Sequence, residues 1–397
     1  MSDRRPASEL RVWRATLAGL CATLVGIGLA RFGYTPLLPA LITRGWFPSS
    51  QAAYLGAANL AGYLAGALCA RALARRLSAR LILRGMMLLV SVAFFACATP
   101  LSFAWFFLWR FASGVAGGAL MVLAAPTVLP HVPAARRGLA GGAIFTGVGL
   151  GIAASGTLVP LLLQAGLVQT WCGLGVLSLL LTALAWGGWP PDPASVTVAG
   201  PTGGRLALRG FALRALYVEY ALNAAGLVPH MVFLVDFVAR GLGRGIEPGA
   251  RYWVVFGLGA VIGPTLAGSV ADRIGFGPAL RVALALQAAA VLLPTVATDA
   301  GSLVVSSLVA GAAVPGIVPL VLGRVHDLVP HDPEGQRAAW SVTTMAFALG
   351  QASGAYGFSF LFARGGDYLP LFSLAAACIV LALAIDLVAR LAAPRPI

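Results

Sequence analysis

The sequence predicts an all-α membrane protein whose twelve transmembrane helices form two bundles of six. Its composition, its apolar runs and its arginine distribution carry this prediction. Of the 397 residues, 59% are hydrophobic and only 10% are charged, whereas a typical soluble chain carries about 25% charged residues. The 27 basic and 13 acidic side chains cannot cover soluble surfaces for a chain of this length. A soluble enzyme, a disordered chain and a disulfide scaffold are therefore excluded.

Twelve apolar runs are long enough to cross a bilayer, which takes a helix of about 20 residues. They are 15–41, 51–70, 81–99, 102–125, 138–162, 170–189, 211–238, 252–271, 278–298, 302–323, 338–362 and 370–390. The stretch 190–210 after the sixth run is rich in Pro, Gly and Ser and is typical of a linker. The predicted organisation is an N-terminal bundle over 1–189, a linker over 190–210 and a C-terminal bundle over 211–397.

The arginines between the runs predict the orientation. If both termini are cytoplasmic, the inner loops and tails hold 20 Arg and the outer loops hold five. Positively charged loops stay on the cytoplasmic side of a membrane. The termini and the 190–210 linker are therefore predicted to be cytoplasmic, and the orientation agrees with tryptophans near both ends of the runs.

Composition also excludes several partners and energy sources. A net charge of +14 suits nucleic acid only where the bases cluster on one face, and here they are scattered among short loops. The five cysteines lie inside apolar runs without a CxxC or Cys/His pair, so no metal or cofactor is expected. The chain contains no Lys, so a Walker A motif and ATP-driven pumping by this chain are excluded.

The two halves repeat each other weakly. GALCARALARR begins at Gly66 after the second run, and GSVADRIGFGP begins at Gly268 after the eighth, at an offset of 202 residues. A second echo pairs LGIAASG at 150–156 with LGQASG at 349–354. Both echoes fall between matching runs, which favours two related bundles.

Two motifs resemble the major facilitator superfamily. GSVADRIG at 268–275 resembles the superfamily's GxLaDrxG loop motif, and RFASGVAGG at 110–118 resembles its fourth-helix pattern RxxxGxxGG. GIGLARFGYTPLLPAL at 26–41 is similar to the first helix of the uncharacterised bacterial YbfB/YjiJ-like group. The resemblance implies the major facilitator fold in a bacterial inner membrane, with spans 1, 4, 7 and 10 lining a central cavity.

The resemblance also implies that the loop motif helps to latch the cytoplasmic gate. At the 202-residue offset, Ala70 replaces the acidic residue in the N-terminal copy, so the C-terminal copy is expected to carry more of the gating. The alternative, that the arginines after the second run serve only to anchor topology, stays open. The predicted gating residues are Gly268, Asp272, Arg273, Gly275 and Arg71.

Two arginines are predicted to lie deep in the membrane. Arg31 is about 15 Å and Arg110 about 12 Å from the outer ends of their spans, at 1.5 Å per residue. A charge there costs at least about 2.5–3.5 kcal/mol, and no acidic residue lies between Glu9 and Asp192. Either backbone carbonyls brace these arginines, or their partner is a C-terminal acid or an anionic substrate.

Span seven supplies the predicted C-terminal half of the site. Glu219, Asn223 and His230 share one helical face, and Asp236 is expected to be solvated near the outer end. Glu219 or His230 is predicted to carry a coupled proton, because each can change protonation near neutral pH in a suitable environment. Asn59 and Gln351 contact either the substrate or only a neighbouring helix. The predicted substrate-binding residues are Arg31, Tyr34, Asn59, Arg110, Asn223, His230 and Gln351.

Prolines support this placement. Pro36 and Pro39 are predicted to interrupt span one, and Pro229 to interrupt span seven. Interrupted helices at matching positions of a repeat are typical of transporter binding sites.

These observations predict a secondary active transporter rather than an enzyme. It would carry a small organic solute, with an anion as one candidate, by alternating access coupled to protons, as a monomer in the bilayer. Two alternatives stay open. A membrane receptor or scaffold would be expected to carry a soluble signalling domain, and an intramembrane enzyme would need a catalytic cluster at one depth.

Overall fold

The protein was studied as a computed structural model that describes residues 5–133, 136–191, 210–330 and 332–391. Its described elements are helical. The α-helices are α1 (Arg5–Thr23), α2 (Tyr34–Thr43), α3 (Ser49–Ala74), α4 (Ala79–Cys97), α5 (Phe103–Val128), α6 (Arg137–Leu163), α7 (Leu167–Ala185), α8 (Phe211–Gly226), α9 (Val228–Asp236), α10 (Ile246–Ile274), α11 (Phe276–Leu292), α12 (Ala300–Leu328), α13 (Pro333–Gly365) and α14 (Leu369–Leu391). Shorter π-helical and 3₁₀ segments extend some of them.

Among the described residues, 11 helical segments are long and apolar enough to cross a membrane. Two of these segments each combine two α-helices: residues 11–43 combine α1 and α2, and residues 211–241 combine α8 and α9. The predicted eleventh span, 338–362, lies within α13, a helix of 33 residues. This helix is long enough to cross but is not among the 11, and its sequence contains Ser, Thr, Gln and Gly between the apolar residues.

The first and seventh spans are interrupted near Pro36 and Pro229, as predicted, whereas Pro39 lies inside α2 without breaking it. In the first, α1 continues as a π-helix over Leu24–Leu29, and a turn over 30–33 precedes α2. In the seventh, α8 and α9 are separated at Leu227, and a π-helix over Phe237–Gly241 follows α9. Pro36 and Pro229 each lie in the first turn of the helix that follows the interruption, where a missing N–H is tolerated.

Glycines set the closest helix crossings. A Cβ atom on Gly62 or Gly66 of α3 would overlap backbone atoms of α5, and one on Gly114 of α5 would overlap the backbone oxygen of Asn59. The same arrangement joins α10 and α12, where Gly259, Gly263 and Gly311 stand 197 residues after the first three glycines. Small residues at these positions let two backbones approach closely in a membrane.

This crossing corrects the offset of the internal repeat. The offset of 202 residues is wrong for the packed helices, because Gly66 matches Gly263 in the crossing and not Gly268. At the spatial offset of 197, the N-terminal counterparts of Asp272 and Arg273 are Arg75 and Arg76. The N-terminal copy therefore still lacks an acidic residue, but Arg75 and not Ala70 occupies its place.

The chain divides into two compact units. Unit 1 contains Met1–Val198 with Val238–Val254, and unit 2 contains Ala199–Phe237 with Val255–Ile397. This division differs from the predicted bundles chiefly at 238–254, where the end of the seventh span, the connection after it and the start of the eighth span are grouped with unit 1. Most of the predicted linker, 192–209, lies outside the described residues.

Candidate functional site

Arg31 lies in the interruption of the first span, within unit 1. The π-helix before it shifts the hydrogen-bond pattern, since the Ala30 and Phe32 amides donate to carbonyls five residues earlier. Arg31 is half-buried as a residue, and its guanidinium carbon lies 5.3 Å from the ring centroid of Tyr63 and 5.0 Å from that of Phe32. The sequence analysis missed Tyr63 as a neighbour of Arg31. The arrangement fixes a cation beside irregular backbone at the level of the first span's interruption.

Arg110 braces that same interruption. Its Nη1 donates to the Ala30 carbonyl at 2.7 Å, and its Nε donates to the Leu55 carbonyl at 3.5 Å. The Ala30 oxygen would accept from the Tyr34 amide in a regular α-helix, but that amide donates instead to Arg31. Arg110 therefore binds a carbonyl that the turn leaves open, and its guanidinium carbon lies 4.4 Å from the Tyr34 ring centroid. This is the bracing alternative considered for Arg110.

Asn59 and Tyr34 are buried among neighbouring helices of unit 1. Asn59 Nδ2 donates to Ser113 Oγ at 2.9 Å and to the Arg110 carbonyl at 3.2 Å, which ties α3 to α5. The Tyr34 hydroxyl donates to the Ala52 carbonyl at 2.6 Å. These contacts hold Arg110 and the first span in register.

The polar face of the seventh span points into unit 2. Asn223 Nδ2 on α8 donates to Gln287 Oε1 on α11 at 2.6 Å. His230 Nε2 on α9 lies 2.9 Å from Ser306 Oγ on α12, and the imidazole meets the Phe372 ring edge-on at 5.1 Å between centroids. The predicted shared face of Asn223 and His230 therefore contacts α11, α12 and α14.

Glu219 occupies the end of this face nearest the linker. Its side chain is 2% exposed, and Asp386, Arg324 and Arg281 are the charged groups within electrostatic range. Arg281 Nε and Asp386 Oδ2 form an ion pair at 2.8 Å, with both side chains largely buried. The result is a charged cluster between α8, α11, α12 and α14.

The structure corrects one expectation at the end of α9 farthest from the linker. Asp236 is not solvated but fully buried. The Tyr368 hydroxyl donates a hydrogen bond to its Oδ2 at 2.7 Å, which supplies the buried carboxylate with a partner. Tyr368 also packs on the Phe237 ring, at 5.6 Å between centroids. Gln351 is buried on α13, where its Nε2 lies 3.7 Å from Met231 Sδ on α9.

The predicted gating residues lie at the linker-side end of α10. Asp272 and Arg273 are exposed, and no ion pair joins either one to another described residue. Gly275 has φ +83°, a conformation that favours glycine, so it forms the turn into α11. A Cβ on Gly268 would meet nothing within 4 Å. Arg71 falls in α3, but its side chain lies outside the described residues.

Sequence reasoning missed several polar partners. Gln287 and Ser306 lie inside apolar runs, so a polar residue at an unexplained position was the available signal. Arg281 and Asp386 lie near the ends of their runs, and the sequence does not predict that they pair. Their pairing depends on which helices pack together, which a single sequence does not specify.

Comparisons with known proteins agree with this architecture. The sequence profile of the family described as "Uncharacterised MFS-type transporter YbfB" matches residues 23–387. A bacterial homologue of the human lysosomal transporter Spinster, solved inward-facing and unoccupied, has 17% identity and a TM-score of 0.65, with 97% of this chain and 95% of that chain covered. A mutant of the nucleoside transporter NupG has 14% identity and a TM-score of 0.78, with 94% and 99% covered. A search by sequence among curated proteins finds no match.

The helical fold, the interrupted spans and these matches define a multi-pass membrane transporter of the major facilitator superfamily. Because the profile match spans most of the chain, the protein belongs to the family of the uncharacterised MFS-type transporter YbfB. The resemblance inferred from the 26–41, 110–118 and 268–275 segments is confirmed.

Proposed function

We propose that the protein is a secondary active transporter of a small organic anion, coupled to protons and working by alternating access. The observation that carries the proposal is Arg31, a cation held in the interruption of the first span. Broken helices at matching positions of the two halves favour a binding site at that depth. A planar guanidinium suits a carboxylate or phosphate, which it can bind with two parallel hydrogen bonds.

Arg110 has a different role in this proposal. Its donors go to the Ala30 and Leu55 carbonyls, so it positions the backbone around Arg31. Arg31 is therefore the residue proposed to contact the anionic group, with Tyr34 and Asn59 supporting the geometry. Asn223, His230 and Gln351 stay candidate substrate contacts in unit 2.

Glu219 is proposed as the residue that carries the coupled proton, with His230 as the alternative. Glu219 is a buried carboxyl near both positive and negative side chains. Proton transfer to such a group changes the balance of a local charge network, which is a means of biasing a two-state equilibrium.

The membrane setting completes the proposal. α13 is proposed as the twelfth crossing, with both termini and the linker in the cytoplasm of a bacterial cell and the protein a monomer in the inner membrane. The arginine bias of the loops supports this orientation.

The Arg31 assignment is tested by substitution. Replacing Arg31 with Lys keeps the charge but loses the planar fork, so binding of an anion should weaken about 10- to 100-fold, nearly as much as in Arg31→Ala. The measurement is a thermal-shift screen of the purified protein with small carboxylates, organic phosphates, the nucleoside uridine and a quaternary ammonium ion, followed by flux in proteoliposomes.

The control is Arg44→Lys. Arg44 directly follows α2 at the end of the first span, and its Nη2 donates to the Leu163 carbonyl at 2.6 Å. This substitution should leave binding unchanged. An Arg31→Ala variant that binds and transports an anion normally would remove Arg31 from the site. Stabilisation by the cation or by uridine alone would contradict the anionic substrate.

The gating motif gives a separate prediction. Asp272→Asn is expected to slow transport several-fold without lowering thermal stability, because an ionic contact made in only one conformation shifts the balance between conformations. The side chains of the neighbouring residues Asp272 and Arg273 are both exposed, so the fold does not depend on them. Unchanged flux in Asp272→Asn would leave the motif with a role in topology alone.

A further inference from the structure

A row of buried polar side chains in unit 2 has unmet hydrogen-bonding capacity. Glu219, Asn223, His230 and Gln287 are each at most 2% exposed. Each also has one buried polar atom without a hydrogen-bond partner among the described residues. These atoms are Glu219 Oε1, Asn223 Oδ1, His230 Nδ1 and Gln287 Nε2.

The hydrogen bonds at His230 define which ring nitrogen carries the proton. A serine hydroxyl has a single hydrogen, and Ser306 donates it to the Ala290 carbonyl at 2.7 Å. Ser306 Oγ therefore accepts from His230 Nε2 at 2.9 Å. The neutral imidazole then presents a bare lone pair at Nδ1, the atom that has no described partner.

The side-chain amides of Asn223 and Gln287 also leave polar atoms without a described partner, in this case one acceptor and one donor. Asn223 Nδ2 donates to Gln287 Oε1, which orients both amides. Asn223 Oδ1 is left as an acceptor and Gln287 Nε2 as a donor. A water molecule needs both kinds of partner, and this pair offers both at the place where α8 is joined to α11.

The energetics favour water over empty space. A buried polar atom without a hydrogen bond costs about 1–3 kcal/mol, and four such atoms stand along one helix face and its neighbour. Buried waters in proteins commonly satisfy such groups, with two to four hydrogen bonds each. Glu219 and His230 are eleven residues apart, about 16 Å at the α-helical rise, so several waters are needed to span the row.

We propose that unit 2 encloses a file of ordered water running from Glu219, past the Asn223–Gln287 pair, to Nδ1 of His230. The Arg281–Asp386 pair and Arg324 flank its linker-side end, and the Ser306 hydroxyl and the Phe372 ring close it at His230. The file gives the buried Glu219 carboxyl access to exchangeable protons inside the bundle. The water file stands on the geometry alone, whereas its service to proton coupling rests on the proposed function.

Hydroxyl-radical footprinting of the full-length protein tests the file without a substrate. Radicals formed from bound water label only side chains beside that water. Phe372 and Phe106 are both 0% exposed, but only Phe372 lies against the row. Phe372 is expected to be labelled several-fold faster than Phe106. Equal, slow labelling of the two rings would overturn the proposal even if transport is demonstrated.

A double variant tests the path. Asn223→Leu with Gln287→Leu removes both partners together and should reduce Phe372 labelling to the rate of Phe106. Ser178→Ala, at a buried serine of unit 1, should leave it unchanged. Labelling of Phe372 that persists in the folded double variant would overturn the route past Asn223.

The imidazole gives a second readout. In ¹⁵N-histidine spectra, the signal lost in His230→Gln should show a protonated Nε2 and an unprotonated Nδ1 near neutral pH. A protonated Nδ1 would contradict the proposal, because the acceptor at the end of the file would then be absent.

Discussion

Asp386→Leu is expected to lower the free energy of unfolding by about 3–5 kcal/mol, because it leaves the Arg281 charge buried without its partner. The two side chains form an ion pair at 2.8 Å, with 14% and 7% of their surfaces exposed. Arg281→Met should cost a similar amount for the same reason. The measurement is equilibrium unfolding in mixed detergent micelles.

The double variant Arg281→Met with Asp386→Leu separates the loss of an interaction from the cost of an unpaired charge. It should recover most of the stability, since apolar side chains of similar volume often replace a buried ion pair without loss. The control is the Glu247–Arg251 pair at 2.7 Å, whose side chains are 71% and 76% exposed. Glu247→Gln should cost under about 1 kcal/mol. A double variant as unstable as either single one would mean that the pair itself stabilises unit 2.

The same double variant bears on the proposed coupling. It removes two of the three charged neighbours of Glu219, so a folded double variant should transport with an altered pH dependence. A folded variant with a native pH profile would show that the cluster serves stability alone.

Gly114→Ala is expected to cost about 1–3 kcal/mol, the usual range for overpacking a tight interface. The added carbon would overlap the Asn59 backbone oxygen, which cannot move without moving α3. Gly311→Ala should have the same effect in unit 2, because its Cβ would overlap the Phe256 backbone oxygen. Equilibrium unfolding in the same micelles measures both.

Gly85→Ala is the matched control. Gly85 lies within α4, and a Cβ there would meet nothing within 4 Å. The substitution should be neutral or stabilise by up to about 1 kcal/mol, since alanine favours helix over glycine. Equal destabilisation at Gly85 and Gly114 would contradict the assignment of Gly114 to a close crossing.

The internal repeat was predicted from the sequence, but its exact offset was not. The glycine-rich motifs were visible, and they placed related helices in both halves. The predicted offset was wrong by five residues because it aligned two short sequence motifs of similar composition. The helix crossing instead aligns Gly62, Gly66 and Gly114 with Gly259, Gly263 and Gly311. Five residues are more than one helical turn, so the error exchanges the packing glycine Gly263 for Gly268, where a Cβ atom would meet nothing within 4 Å.

The sequence by itself determined that the chain enters a membrane, and its apolar runs anticipated the 11 helical segments of the described residues that are long and apolar enough to cross one. Hydropathy and charge suffice for this, because the hydrocarbon core penalises exposed polar groups whichever helices pack beside them. The tertiary structure decided which partner each buried group has. In the folded chain, Arg110 is hydrogen-bonded to the Ala30 carbonyl, Asp236 to Tyr368 and Asn223 to Gln287. These partners lie on other helices, and a side chain's partner depends on helix rotation and crossing, which are set by close packing and not by the hydropathy of either helix.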